Sequence, residues 1–224
     1  LIRIRISEEG VERRGEYPFE TFEQRFLEIC EEHRETGRAL AFAFILYDAG
    51  QPQVIKALRD SDYWAALDKL SGKHLTVFSF EATLPRGEVI EHRWMARIPG
   101  SGDAGARNQL LLRSYFRIDA PVTLPAVMFF QVDNGEVVDC LLWQLKGSRI
   151  EDVYIALETV IGAAAKAVQS VPDEHKHDAL GIFHLIRQAL MDEKFKMVIS
   201  EGNQKLRNLG GITSLIRLLL VGVD

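Results

Sequence analysis

Apolar and polar positions along the chain follow two spacings, one near two residues and one near 3.6, and their order predicts a succession of elements. LIRIRI at residues 1–6 alternates apolar and basic, the pattern of a half-buried strand. After the polar stretch EEGVERRGE, the segment PFETFEQRFLEICEEHRETG sets Phe19, Phe22, Phe26, Ile29 and Cys30 on one helical stripe, and Gly37 supplies a stop. ALAFAFILYD is a continuous apolar run, as expected of a strand covered on both faces. QPQVIKALRDSDYWAALDKLSG reads as two short helices or one broken helix, with Ser61 or Asp62 as the cap of the second piece and Gly72 at its end. KHLTVFSFEA is another strand, so a βαβ unit is expected here, parallel and right-handed.

The pattern over 85–105 is ambiguous. EVIEHRWMARI fits a strand or a helix, and PGSGDAGA reads as a loop. RNQLLLRSYF is helical in pattern. In TLPAVMFFQVDNGEVVDCLLWQLKG two strand-like runs flank Asp133-Asn134-Gly135. Asn-Gly is the strongest short hairpin signal, because a type I′ turn needs positive φ at both central residues. Ser148 and Glu151 have capping-box spacing before a helix with Ile150, Val153, Tyr154, Leu157, Val160, Ile161, Ala164 and Val168 on one face. Pro172 ends it. A further helix over roughly 174–199 carries Leu180, Phe183, Ile186 and Leu190, and a short apolar helix follows Gly210-Gly211. No internal repeat is present.

This order, strand–helix–strand–helix–Pro–hairpin–helix, resembles the thioredoxin-like fold. The residues that carry the resemblance are Tyr115-Phe116-Arg117-Ile118, Pro125, the apolar run from Val127 to Phe130, Asn134-Gly135 and Gly147, within RSYFRIDAPVTLPAVMFFQVDNGEVVDCLLWQLKGSRIEDVYIAL. It spans residues 38–169 and is densest over 107–165. It implies an α/β fold, with a thioredoxin-like mixed sheet flanked by helices and an added α-helical C-terminal segment. The division it suggests is an N-terminal strand and helix at 1–37, the thioredoxin-like domain at 38–170, and a helical extension packed on it at 171–224. It also implies that Pro125 is cis and faces the turn after the first core strand. Redox members carry a CxxC pair at that turn, where a helix N-terminus lowers the pKa of the first thiol. Here the matching residues are Asp48-Ala49-Gly50-Gln51, and thiol–disulfide exchange has no thiol to use.

Composition narrows the picture further. The chain has 224 residues, 47% hydrophobic and 26% charged, enough for a full core. A net charge of −5 argues against general nucleic-acid binding, which needs a basic surface. The two cysteines, Cys30 and Cys140, fall in a helix pattern and a strand pattern, which speaks for a reducing, cytoplasmic setting rather than a disulfide framework. The apolar tail ITSLIRLLLVGV is too short to span a bilayer and holds Arg217. It is expected to pack on the domain or to contact another copy of the chain.

What the fold retains without cysteine is a surface that holds an extended peptide. The resemblance therefore implies a protein- or peptide-binding module, chaperone-like or part of an assembly. Its candidate residues are Leu124 and Pro125, which would position a partner's backbone, and the facing Asp48, Gly50 and Gln51. Asp48 also suits a plain turn or cap role. One alternative is a cysteine-independent, glutathione-transferase-like enzyme, although about 50 helical residues fall short of that family's all-α domain. Another is a nucleotide- or phosphate-binding regulator using 100–117. Gly100, Gly102 and Gly105 match G-x-G-x-x-G as text, with Pro99 before them and Asp119 too early for the usual acid. Arg107, Arg113 and Arg117 are the candidate phosphate ligands, Arg113 and Arg117 being read as one helix face at i, i+4. Against this stands an ordinary solvated face. His177 and His184, near Glu174 and His175, hint at a metal, but no carboxylate completes a tight set. No cofactor and no metal are expected, and neither cysteine reads as a nucleophile.

Overall fold

The computed structural model describes residues 1–4, 19–48, 50–80, 104–118 and 122–209. Five strands form one mixed sheet: β1 (Ile2–Ile4), β2 (Ala41–Leu46), β3 (Leu75–Phe80), β4 (Ala126–Asp133) and β5 (Glu136–Gln144), in the order β1-β3-β2-β4-β5. β1 and β2 run parallel to β3, and β4 runs antiparallel to both β2 and β5. The sheet therefore takes in the first residues of the chain. The helices are α1 (Phe19–Glu35), α2 (Pro52–Arg59), α3 (Ser61–Ser71), α4 (Ala104–Phe116), α5 (Ile150–Gln169) and α6 (Ala179–Leu209). The protein is thus α/β, with a mixed sheet flanked by helices and a helical C-terminal segment. The parallel β2–β3 pair is joined through α2 and α3, as the apolar runs predict.

Every side chain of AFAFIL in β2 is buried, and successive residues feed two different cores. On one face Phe42, Phe44, Phe78 and Phe130 meet Phe22 and Phe26 of α1 and Leu112 and Phe116 of α4. These rings pack at mixed angles, Phe44 stacked on Phe130 at 5.4 Å and Phe116 edge-on to Phe130 at 5.1 Å. On the other face Ala43, Ile45, Val77 and Val127 lie against Val54 of α2, Leu67 of α3, Leu157 and Ile161 of α5, and Phe183 and Ile186 of α6.

Polar ties fix the outer elements. Gln131, fully buried on β4, donates from Nε2 to Leu40 O (2.8 Å) and Ala179 O (3.1 Å), and its Oε1 accepts from Val132 N–H (3.3 Å). One side chain so joins the approach to β2, the start of α6 and its own strand. Arg34 of α1 donates to Val132 O and to Asp133 Oδ1 (2.7 Å).

Several boundaries differ from the sequence pattern. Asp60, not Ser61 or Asp62, caps α3, accepting from the N–H groups of Asp62 and Tyr63 at 3.0 Å each. The N-cap of α5 is Arg149, and Asp152 takes the place given to Glu151 in the capping box. Arginine has no acceptor. The cap is therefore one-sided: the Asp152 carboxylate accepts from Arg149 N–H (3.3 Å) and from its guanidinium (2.8 Å). α6 starts at Ala179, after a 3₁₀ turn at Asp173–His175, and its buried stripe runs through Ile182, Phe183, Ile186 and Leu190 while Leu180 is exposed. The segment 85–103 and the apolar tail after Gly210 lie outside the described residues.

Asn134 (φ 52°) and Gly135 (φ 73°) both take the left-handed conformation, as the hairpin reading predicts. A Cβ on Gly135 would meet nothing within 4 Å, so a side chain there costs conformation, not space. Gly135→Ala is expected to lower stability by about 1–2 kcal/mol, read from the urea midpoint at unchanged m-value.

His33 is buried at the end of α1, with Nδ1 3.1 Å from Thr76 Oγ1. Burial, helped by Arg38, holds its pKa below the ordinary value, and burial does the same to His74. The unfolded chain thus takes up these protons first as pH falls. The stability is present above about pH 6.5 and is lost as pH drops from there through the folded values. His33→Gln is expected to flatten the slope of stability against pH below 6.5, measured by urea titration from pH 7.5 to 5.

Candidate functional site at the ends of β2 and β4

The register Leu46↔Ala126 brings the end of β2 beside the start of β4, so Tyr47 and Asp48 flank Pro125 and Leu124. The Leu124–Pro125 peptide bond is cis, and Pro125 O accepts from Leu145 N–H at 2.9 Å. Leu124 and Pro125 are half-buried, and Leu124 packs on the same apolar cluster as Ile118 and Val122.

Asp48, Gly50 and Gln51 form a turn closed on itself. Asp48 Oδ1 accepts from Gly50 N–H at 2.7 Å, and Asp48 N–H donates to Gln51 Oε1 at 2.7 Å. Gln51 N–H returns to Asp48 O at 3.2 Å. A Cβ on Gly50 would lie 2.9 Å from Asp48 Oδ1, so a side chain there would press on the carboxylate that closes the turn. Asp48 is therefore the local turn acceptor that its residue type suggests. The side-chain carbonyl of Gln51 is committed to the turn, which leaves its amide NH₂. Gln51 is also the N-cap of α2, makes no side-chain cap bond, and is followed by Pro52 in the first turn. Proline suits that position, where an N–H would have no helical partner.

Asn108 of α4 completes the arrangement, and the residue pattern did not single it out. It is 1% exposed, its Nδ2 donates to Tyr47 O, and its Oδ1 has no partner. The signal was legible: Asn108 stands at the head of a stripe that continues through Leu111, Leu112, Tyr115 and Phe116, where an apolar residue is expected. A polar residue on such a stripe is buried and needs a partner.

The arginine reading changes. α4 ends at Phe116, and Arg117 follows with φ 54°, while Ile118 N–H reaches back to Leu112 O at 3.1 Å. The backbone has left the helix at Arg117, so Arg113 and Arg117 do not share a helical face, although both are exposed. Of Arg107 only the helical backbone is described. The glycine motif falls largely outside the described residues, with Gly105 inside α4.

The cysteines are remote from the turn. Cys30 is buried under the aromatic core, and burial together with Glu31 pushes its thiol up. Cys140 is half-buried on β5, where burial and Asp139 raise its pKa as well. Neither forms a ready thiolate. His177 lies in the turn before α6 and His184 within it, so the two do not share a helix face. Among the described residues no group of three His, Cys, Asp or Glu side chains is placed to hold a metal ion. Among the same residues no helix is long and apolar enough to cross a membrane. Comparisons with protein-family models, with curated proteins and with solved structures gave no match.

Removing the Asn108 amide takes away its bond to the buried Tyr47 carbonyl at the end of β2. Asn108→Ala is expected to cost about 1–3 kcal/mol, measured by urea unfolding.

Proposed function

We propose that the protein is a redox-inactive, thioredoxin-like module that binds an extended segment of a protein or peptide across Leu124, Pro125 and the turn formed by Asp48, Gly50 and Gln51. The observation that carries this reading is the Leu46↔Ala126 register, which sets a half-buried Leu-Pro pair directly beside a turn that holds no cysteine. What supports it further is the place of Pro125, just before β4 in a mixed sheet. In an antiparallel pair, backbone groups point alternately to either side. Pro125 O is taken by Leu145 N–H on the β5 side. Asp48 N–H is already taken by Gln51. A partner strand would use Leu124 for backbone bonds and the Gln51 NH₂ as a side donor, with Ile118 and Val122 offering apolar contact. Such binding needs no thiol, cofactor or metal.

α5 and α6 both lie against the same face of the sheet, which favours a single binding module over a two-domain transferase. The exposed, separated Arg113 and Arg117 favour a solvated surface over a phosphate clamp.

Selection from a displayed library of random peptides tests the reading. Enriched peptides are expected to bind the wild type and to lose at least about tenfold in affinity, about 1.4 kcal/mol, with Leu124→Asp, while circular dichroism and the thermal midpoint of the variant stay near wild type. No enrichment, or equal binding by the folded variant, removes this surface from consideration.

A further inference from the structure

Tyr63 of α3 and Tyr154 of α5 stand far apart in the chain, yet their rings lie face to face, with centroids 4.3 Å apart and planes 18° from parallel. Aromatic pairs usually keep about 4.5–7 Å between centroids. Phe44 and Phe130, stacked in the core, are 5.4 Å apart.

The packing of the two helices holds this pair together. Leu67 of α3 shares one core with Leu157 and Ile161 of α5. About two turns beyond the tyrosines, α3 comes down on Gly162, where a Cβ would meet Leu70 Cδ2 at 3.4 Å. α3 and α5 thus run side by side in the same direction. Tyr63 stands in the first turn of α3, where Asp60 accepts its N–H at 3.0 Å. Tyr154 stands in the second turn of α5, just past the Arg149–Asp152 pair. Both rings rest on this core and are half-buried, so part of each stays open to solvent. Burial first, then Glu158 and Tyr63, push the Tyr154 phenol above its ordinary pKa. It is a neutral phenol at neutral pH and gives up its proton only when it gives up an electron.

We infer that Tyr63 and Tyr154 form an oxidative cross-linking site, at which a one-electron oxidant, a peroxidase fed with hydrogen peroxide, joins α3 to α5 through a carbon–carbon bond. Each phenol loses one electron and its hydroxyl proton and becomes a tyrosyl radical. The two radicals couple between one Cε of each ring, and the hydrogens on those carbons pass to the oxygens and restore both phenols. In sum the chain loses two hydrogens, and one hydrogen peroxide takes two electrons and two protons to become two waters. Partly open side chains turn on their dihedrals far faster than helices move, so the rings reach the coupling geometry with the backbone in place. Proximity selects the partner: two rings already stacked couple within the chain before two chains meet. The pair lies on the other face of the sheet from Leu124, so the site is independent of the proposed peptide surface.

The test is oxidation of the dilute full chain by a peroxidase and hydrogen peroxide, with N-acetyltyrosine coupled in parallel to show that the oxidant works. The wild type is expected to gain dityrosine fluorescence in chains of monomer mass, two hydrogens lighter than before. The chain holds five tyrosines, so the bond is located by trypsin, which is expected to release peptide 60–69 joined to peptide 150–166. Tyr63→Phe and Tyr154→Phe each keep a ring in the stack and remove one phenol. Each is expected to lose at least about tenfold of the fluorescence at monomer mass. Three results overturn the inference: no joined peptides from the wild type while N-acetyltyrosine couples, joined peptides only in chains of doubled mass, or undiminished fluorescence at monomer mass in either variant.

Discussion

β2 has no edge and no face open to water, and this constraint organises the rest of the protein. With β3 on one side and β4 on the other, its backbone groups all find partners in the ladder, which a buried strand requires. Its alternating Ala-Phe sequence then hands large rings to one face and smaller side chains to the other. The ring-bearing face takes two helices with phenylalanines of their own, α1 and α4, and fills space by aromatic packing. The other face, with Ala43 and Ile45, packs a mainly aliphatic core that also takes Phe129 and Phe183 against α5 and α6. The unlike faces give each helix pair one side on which it fits.

Where β2 ends, that support ends with it, and polar groups must be satisfied one at a time. At its C-terminal end Asp48, Gly50 and Gln51 exchange hydrogen bonds among themselves, and Asn108 reaches over from α4 to hold the Tyr47 carbonyl. At the other end Gln131 takes the Leu40 carbonyl and that of Ala179 together. The first arrangement shapes the surface beside Leu124 and Pro125. The second sets the start of α6 on the sheet. α6 in turn carries Arg187 to Asp139 of β5, the terminal strand among the described residues, so the helix that completes this core also holds a carboxylate on that strand. Buried amides on β4 and α4 thereby do what a longer strand would otherwise do.

The turn after β2 illustrates how a site keeps its shape without reactive side chains. Its two polar side chains are used to close the loop. What is left for a partner is largely backbone and apolar surface, with one amide NH₂. That inventory suits recognition of an extended chain and gives little purchase on a small charged ligand.

The sequence by itself determined the elements whose signal is local. The run AFAFIL, the helical stripe of Phe22, Phe26, Ile29 and Cys30, and the Asn134-Gly135 turn were all legible, because burial on both faces, a 3.6-residue period and a positive-φ pair each leave a mark within a few residues. Helix ends were less so: the true caps, Asp60 and the Asp152–Arg149 pair, lie one residue from the positions the pattern favoured, since several neighbouring polar residues satisfy the same spacing. Leu180 and Ile182 traded places for a similar reason, as the face that is buried depends on what α6 packs against. Tertiary structure alone decided the partners of Asn108, Gln131 and Arg187, which lie 48 or more residues away along the chain. A hydrogen bond of that kind is fixed by where the sheet register brings two segments together, and periodicity carries no record of which distant segment that will be.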